Sequence, residues 1–405
     1  MSIRPIREIR QTKATIEGAG VHLQRAFGFA DPSELDPFLL FDDFRNEDPE
    51  AYRAGFPWHP HRGIETITYV LAGTVAHGDS LGNRGALGAG DVQWMTAGRG
   101  ILHQEMPQGD ARGRMHGFQL WANLPSAHKM TAPRYQDVKS KEIPEITDDD
   151  GTKVRVICGS FWGKRGPVDG IAAEPRYLDV TVPPLKRKTL KVELERHAFA
   201  YVFEGSGRFR DASAPQGVLT EKQVGGEEVL FREPAGNRSL VLFGSGDEIT
   251  VEAGEQGIRF LLVSGKPIKE PVAWYGPIVM NTQAELKQAA VEGLLSQLHS
   301  QVQLVTNATP TQSASLTTNA SVAFGRMFDR AFAYIRIGLV EAGAVDHEFI
   351  NAKTAGFAEF IEALHFVSWG EITGNSGVSQ SEIERAVQIL CKSKATREHS
   401  SRSGL

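Results

Sequence analysis

The chain has 405 residues, enough for two or three domains, and its apolar fraction of 41% and charged fraction of 23% are ordinary for a globular protein. A net charge of −5, with both signs mixed along the chain, gives no reason to expect direct nucleic-acid binding. Two cysteines exclude a disulfide framework, the charged start "MSIRPIREIRQTK" lacks the apolar core of a secretory signal, and no apolar run approaches the ~18 residues of a membrane helix, so a cytoplasmic protein without a membrane partner is expected.

Strand candidates follow one another from the start. "ATIEGAGVHLQRAF" (14–27) and "PFLLFDDF" (37–44) lead to "FPWHPHRGIETITY" (56–69). "ETITYVLAGTVAHGD" (65–79) reads as two strands turning near Gly73, and "GALGAGDVQWMTAGRGILHQE" (85–105) and "GRMHGFQLWANLP" (113–125) continue the pattern. After a polar connection over 126–150, further β-type runs from "TKVRVICGSF" to "IRFLLVSG" follow, punctuated by glycine turns. Up to about residue 270 nothing is convincingly helical, so this part is all-β. "MNTQAELKQAAVEGLLSQLHSQV" (280–302) then reads as a helix that Asn281 or Thr282 can cap, with Glu285 in its first turn. A Ser/Thr/Asn-rich linker (306–321) and mixed helical patterns over 322–390 close the chain without assignable chemistry.

Two strand-borne pairs carry the chemistry. Strand side chains alternate faces, so His59 and His61 point the same way, with Pro60 between them marking a strand end or edge. A second i, i+2 pair, His103 and Glu105, lies in "GRGILHQEMP". Neighbouring strands could aim three imidazoles and one carboxylate at one point, a mixed N/O donor set that suits Fe(II) and also Mn, Co, Ni, Cu or Zn, with positions left open for a ligand. Glu65 competes for the carboxylate role, because four residues after His61 it could share that face. His77 reads as a satisfied polar side chain on the return strand, and His116 could lie near the barrel mouth. Phe56, Trp58, Trp94, Met95 and Met106 flank the four candidates and could line an aromatic pocket, although Trp94 and Met95 read better as core.

A weak internal repeat bears on these residues. "YVLAGTV" (69–75) matches "YVFEGSG" (201–207), and "GAGDVQWMTAG" (88–98) matches "GSGDEITVEAG" (244–254), in the same order. The match places Lys191 and Glu193 opposite His59 and His61, with Arg259 near His103 and Leu261 near Glu105. A second copy without the ligands favours a functional rather than a folding role for the histidines.

Two tandem β-domains with an HxH strand and a later histidine strand resemble the cupin superfamily. "FDDF", "PHRGIETITYVLAGTVAHGDSLGN", "GAGDVQWMTAGRGILHQEMP", "GFQLWANLP" and "GPIVMNT" resemble segments of the pirin family of bicupins over roughly residues 1–290. The resemblance implies two tandem cupin-type β-barrels, a metal-binding domain at 1–135 and a ligand-free one at 150–290, followed by a C-terminal helix. A linker and partly helical extension at 291–405 lie beyond it. It further implies metal ligation by His59, His61, His103 and Glu105, with Glu65 outside the ligand set. It also implies one bound divalent metal, most readily Fe(II), and quercetin 2,3-dioxygenase-like activity on a flavonol and O2, with Glu105 as general base. The family's other face implies an iron-bound, redox-sensing module with a protein partner.

Overall fold

Period-2 alternation broken by glycine turns yields strands from Ile6 to Met280 in the computed structural model, which describes residues 2–28, 32–169, 172–212 and 234–289. The expected all-β character is borne out. The predicted helix begins at 283–289. Thr282 Oγ1 accepts from the Glu285 N–H (3.2 Å) while the Glu285 carboxylate accepts from the Thr282 N–H (2.9 Å), a reciprocal cap. The rest of that helix, the linker, the extension and Cys391 lie outside the described residues. Among the described residues no helix is long and apolar enough to cross a membrane.

The first β-unit has two sheets. One orders its four strands Phe56–His61, Ile101–Gln108, Thr74–Asp79 and Arg84–Leu87. The other runs Arg134–Val138, Val92–Thr96, Ile64–Ala72, His116–Asn123, Phe38–Asp43, Val21–Phe27 and Lys13–Glu17. Phe56–His61 is an edge strand, which accommodates Pro57 and Pro60. The chain passes between sheets at Gly73, whose φ is +77 and where a Cβ would stand 2.6 Å from the Gln108 carbonyl oxygen.

The second unit is built on a nine-stranded sheet, Ile6–Gln11 included, around the long strands His197–Phe209 and Glu248–Gly265, whose register shifts over 202–207 let the sheet bend over itself, with Ser160–Phe161 and Lys164–Arg165 as a separate pair. The ladders relate the units residue by residue. Tyr69 pairs with Phe118 and Val92, and Tyr201 pairs with Leu261 and Leu240. Asp43 faces Phe118 as Asp179 faces Leu261. The Tyr69 hydroxyl donates to Asp179 (2.7 Å) and the Tyr201 hydroxyl to Asp43 (2.8 Å), so equivalent residues reach reciprocally across the seam. A shared apolar core surrounds these bonds, with Phe41, Trp94 and Phe118 of one unit against Phe199, Phe203 and Leu261 of the other.

Each unit also lends a segment to its neighbour. Strand Ile6–Gln11 pairs with Ser239–Phe243 in the second unit's sheet. The hairpin of Ala273–Tyr275 and Ile278–Met280 returns to the first, where Val279 is buried with Leu39, Ile64, Met95 and Ala97. Lys129 clasps that hairpin, donating Nζ to the carbonyls of Gly63 (2.9 Å) and Val279 (3.0 Å) and to Asn123 Oδ1 (2.7 Å).

Candidate metal centre

His59 and His61 leave the edge strand on one face, and His103 stands opposite His59 in the antiparallel ladder. The structure brings these three together: one ring nitrogen from each lies within 4.8 Å of the others. His59 Nδ1–H donates to the Pro57 carbonyl (2.7 Å), and His61 Nδ1 lies 3.3 Å from the Pro277 carbonyl on the returning hairpin. These carbonyls fix the tautomers and leave two Nε2 lone pairs facing each other at 3.1 Å. Neither ring nitrogen of buried His103 has a hydrogen-bond partner. Burial drives the His59 pKa down to about 4 and those of His61 and His103 well below the usual imidazole range. At neutral pH the site therefore holds uncharged imidazoles with converging lone pairs, a repulsive arrangement that a cation relieves. The donor set fits a transition metal.

Glu105, two residues beyond His103, is buried beside them but lies outside that group of mutually close atoms. Its Oε1 accepts from Thr68 Oγ1 (2.9 Å) and its Oε2 from Gln119 Nε2 (3.1 Å), both on the facing sheet. Burial raises its pKa above the ordinary carboxylate range. Across the ladder it faces buried His77. Thr68 and Gln119 carried no signal in the sequence, because only the meeting of the two sheets brings them to Glu105.

The structure corrects other expectations. Glu65 does not share the face of His61. Gly63, with a φ of +74, ends the edge strand, and the next strand, Ile64–Ala72, belongs to the other sheet. The Glu65 carboxylate accepts from Thr96 Oγ1 (2.7 Å), on the side of the strand that carries Ile67 and Tyr69 into the seam between units. Burial lifts its pKa to about 7. His116 likewise sits in the seam, beside Asp43 and Phe203. The counterparts of the four candidate ligands also differ from Lys191, Glu193, Arg259 and Leu261. With Tyr69 equated to Tyr201, the pair His77–Glu105 matches Phe209–Val251, and the pair His59–His103 matches Leu190–Ile249. His61 then corresponds to Val192. All four counterparts are buried in the second unit's apolar core.

His59, His61 and Glu105 line a cavity of about 440 Å³, whose apolar wall includes Leu23, Phe44, Tyr52, Phe56, Trp121 and Pro277. Of the aromatic and sulfur-bearing residues singled out in the sequence, Phe56 lines it. Trp94 and Met95 are core, and Trp58 and Met106 are not among the lining residues. Trp121 stacks edge-on to His61 at 4.9 Å between ring centroids.

Comparison with known proteins agrees with this geometry. A family model described as Pirin matches residues 20–122, and one described as the Pirin C-terminal cupin domain matches 177–292. A pirin-like protein of Caulobacter vibrioides is 41% identical over 290 residues, covering 71% of this chain and 97% of the relative. Human pirin is 38% identical, covering 68% and 87%. Among solved structures, a quercetin 2,3-dioxygenase from Acinetobacter baumannii superposes with a TM-score of 0.61 at 30% identity, covering 71% of this chain and 96% of that one. Matched over both its β-units, the chain belongs to the pirin family, and those units are its two cupin domains.

Proposed function

We propose that the first cupin domain is the active site of an Fe(II)-dependent dioxygenase that opens the central ring of flavonols such as quercetin. His59, His61, His103 and Glu105 are the proposed ligands. The supporting observation is the meeting of three neutral, partly orphaned imidazoles, two of which line a mostly apolar cavity together with the buried Glu105 carboxylate. Similarity to the Acinetobacter baumannii quercetin 2,3-dioxygenase adds to it.

A divalent ion held there supplies Lewis acidity toward the substrate's hydroxyl and a meeting point for substrate and O2. The chain's own residues do the rest. Glu105, its pKa lifted by burial, accepts the proton of the flavonol 3-hydroxyl as general base. Thr68 and Gln119 hold the carboxylate in place through one hydrogen bond to each oxygen. The Pro57 and Pro277 carbonyls orient the His59 and His61 rings. Apolar walls exclude water and hold a flat ring system in a fixed pose. Flavonol and O2 give the ring-opened ester of two phenolic acids and carbon monoxide, which balances every atom. Purified protein loaded with Fe(II) is expected to consume O2 with quercetin, and His59→Ala to lose both metal and uptake. Uptake that survives loss of the metal contradicts the reading. Metal-loaded protein inert toward flavonols, yet capturing a protein in only one iron oxidation state, supports the redox-sensing alternative.

A further inference from the structure

A row of polar side chains crosses the inward face of the seven-stranded sheet at a single register. Thr68 pairs with Gln119, Gln119 with Asp42, and Asp42 with Arg25. All four line the cavity. Adjacent strands lie about 4.8 Å apart, so the row runs roughly 14 Å from Thr68 to Arg25. At the near end Thr68 and Gln119 hold Glu105. At the far end Arg25 donates Nε and Nη2 to the two oxygens of Asp42 (2.8 Å each) and Nη1 to Glu17 Oε1 (2.8 Å), also on the cavity wall.

The fold does not need this row. The equivalent ladder in the second domain pairs Ala200 with Leu262, Leu262 with Leu178, and Leu178 with Val156. All four are buried in that domain's core. A buried ion pair such as Arg25–Asp42 also contributes little net stability once desolvation is counted. One guanidinium serves two carboxylates here, with exposed Lys13 opposite Arg25 on the neighbouring strand, and each carboxylate keeps lone pairs beyond those the guanidinium takes. Those lone pairs accept a neutral hydroxyl donor.

We propose that Asp42, Arg25 and Glu17 form the specificity end of the cavity, selecting neutral, flat, three-ring phenolics whose distal ring carries hydroxyl donors. The proposal rests on the flavonol reading of the metal centre and names what that centre takes. In a flavonol the pendant ring is attached to the carbon next to the 3-hydroxyl, so it reaches from Glu105 along the row as far as Asp42, about two strand spacings from Thr68. The 3-hydroxyl then lies beside Glu105 while the pendant hydroxyls point at Asp42, with Glu17 completing the carboxylate wall beyond it.

The test is calorimetric binding to the full chain, with and without Fe(II), of quercetin and of galangin, which lacks both pendant hydroxyls. Quercetin is expected to bind about tenfold tighter, the scale of a hydrogen bond to a charged group. E17Q and D42N are expected to bring that ratio toward one while leaving galangin affinity unchanged. Equal affinities in the unsubstituted chain, or a ratio that survives both substitutions, overturn the proposal. Should D42N fail to fold, E17Q on the half-exposed Glu17 decides alone, and an unchanged ratio again overturns it. Discrimination without O2 uptake upholds this end of the cavity and contradicts ring opening, and O2 uptake without discrimination does the reverse.

Discussion

At matched ladder positions the first cupin domain carries His59, His61, His103 and Glu105, and the second carries Leu190, Val192, Ile249 and Val251. Across the facing sheet the first has Thr68, Gln119, Asp42 and Arg25, and the second has Ala200, Leu262, Leu178 and Val156. Eight inward positions thus change from polar to apolar while strand order and pairing persist. The topology sets where side chains point, and their identity decides whether the interior is a packed core or a cavity with chemistry. A polar interior gives up apolar burial. The first domain offsets this with the seam it shares with its neighbour and with the returning hairpin that buries Val279.

The comparison can be broken most severely at Glu105. Under the proposed mechanism, Glu105→Gln should lower flavonol-dependent O2 uptake by about two to four orders of magnitude, read with an oxygen electrode. Val251→Glu puts a carboxylate at the equivalent place in the second domain, where its ladder partners are Phe209 and a Lys188 already engaged by Asp148. It should cost about 4 kcal/mol or more, measured by urea unfolding.

Glu65 gives the next largest effect. Its carboxyl has a folded pKa of about 7 against an ordinary 4.5, so folding takes up a proton between those values. The chain should therefore lose stability as the pH rises from 4.5 through 7, by about 3 kcal/mol at most. Glu65→Gln should remove that component and flatten the profile of urea midpoint against pH. A profile that keeps its slope would show that Glu65 ionises freely in the fold. The smallest effect concerns the seam. Tyr201→Phe removes the hydrogen bond to buried Asp43 and should cost about 2 kcal/mol, while Tyr69→Phe removes the bond to Asp179 together with the one its hydroxyl accepts from Arg155 Nη1 (2.7 Å) and should cost at least as much. A clearly smaller loss for Tyr69→Phe than for Tyr201→Phe, read by urea unfolding, would break the two-fold equivalence.

Much of this was legible in the sequence. The glycine-punctuated β-runs announced the fold, and strand alternation put His59 with His61 and His103 with Glu105. The misplacement of Glu65 has a local cause: the turn at Gly63 moves the chain to another sheet, so counting by fours from His61 has no meaning across it. The faulty counterparts have another. "GSGD" and "GAGD" are both turns, but they precede different strands of the ladder, Glu248–Gly265 and Val92–Thr96, and turn residues say little about which strand follows. Neither the pairing of Ile6–Gln11 with Ser239–Phe243 nor the row from Thr68 to Arg25 leaves a local trace, because both depend on register between distant strands.

The most direct test of the account is elemental analysis of the Fe(II)-loaded chain and its His103→Ala variant, with circular dichroism to follow the fold. The account predicts one metal ion per chain, none in the variant, and the same β-sheet spectrum in both. A metal-free parent chain, or a variant that keeps its ion, would contradict a single centre built on the first cupin domain.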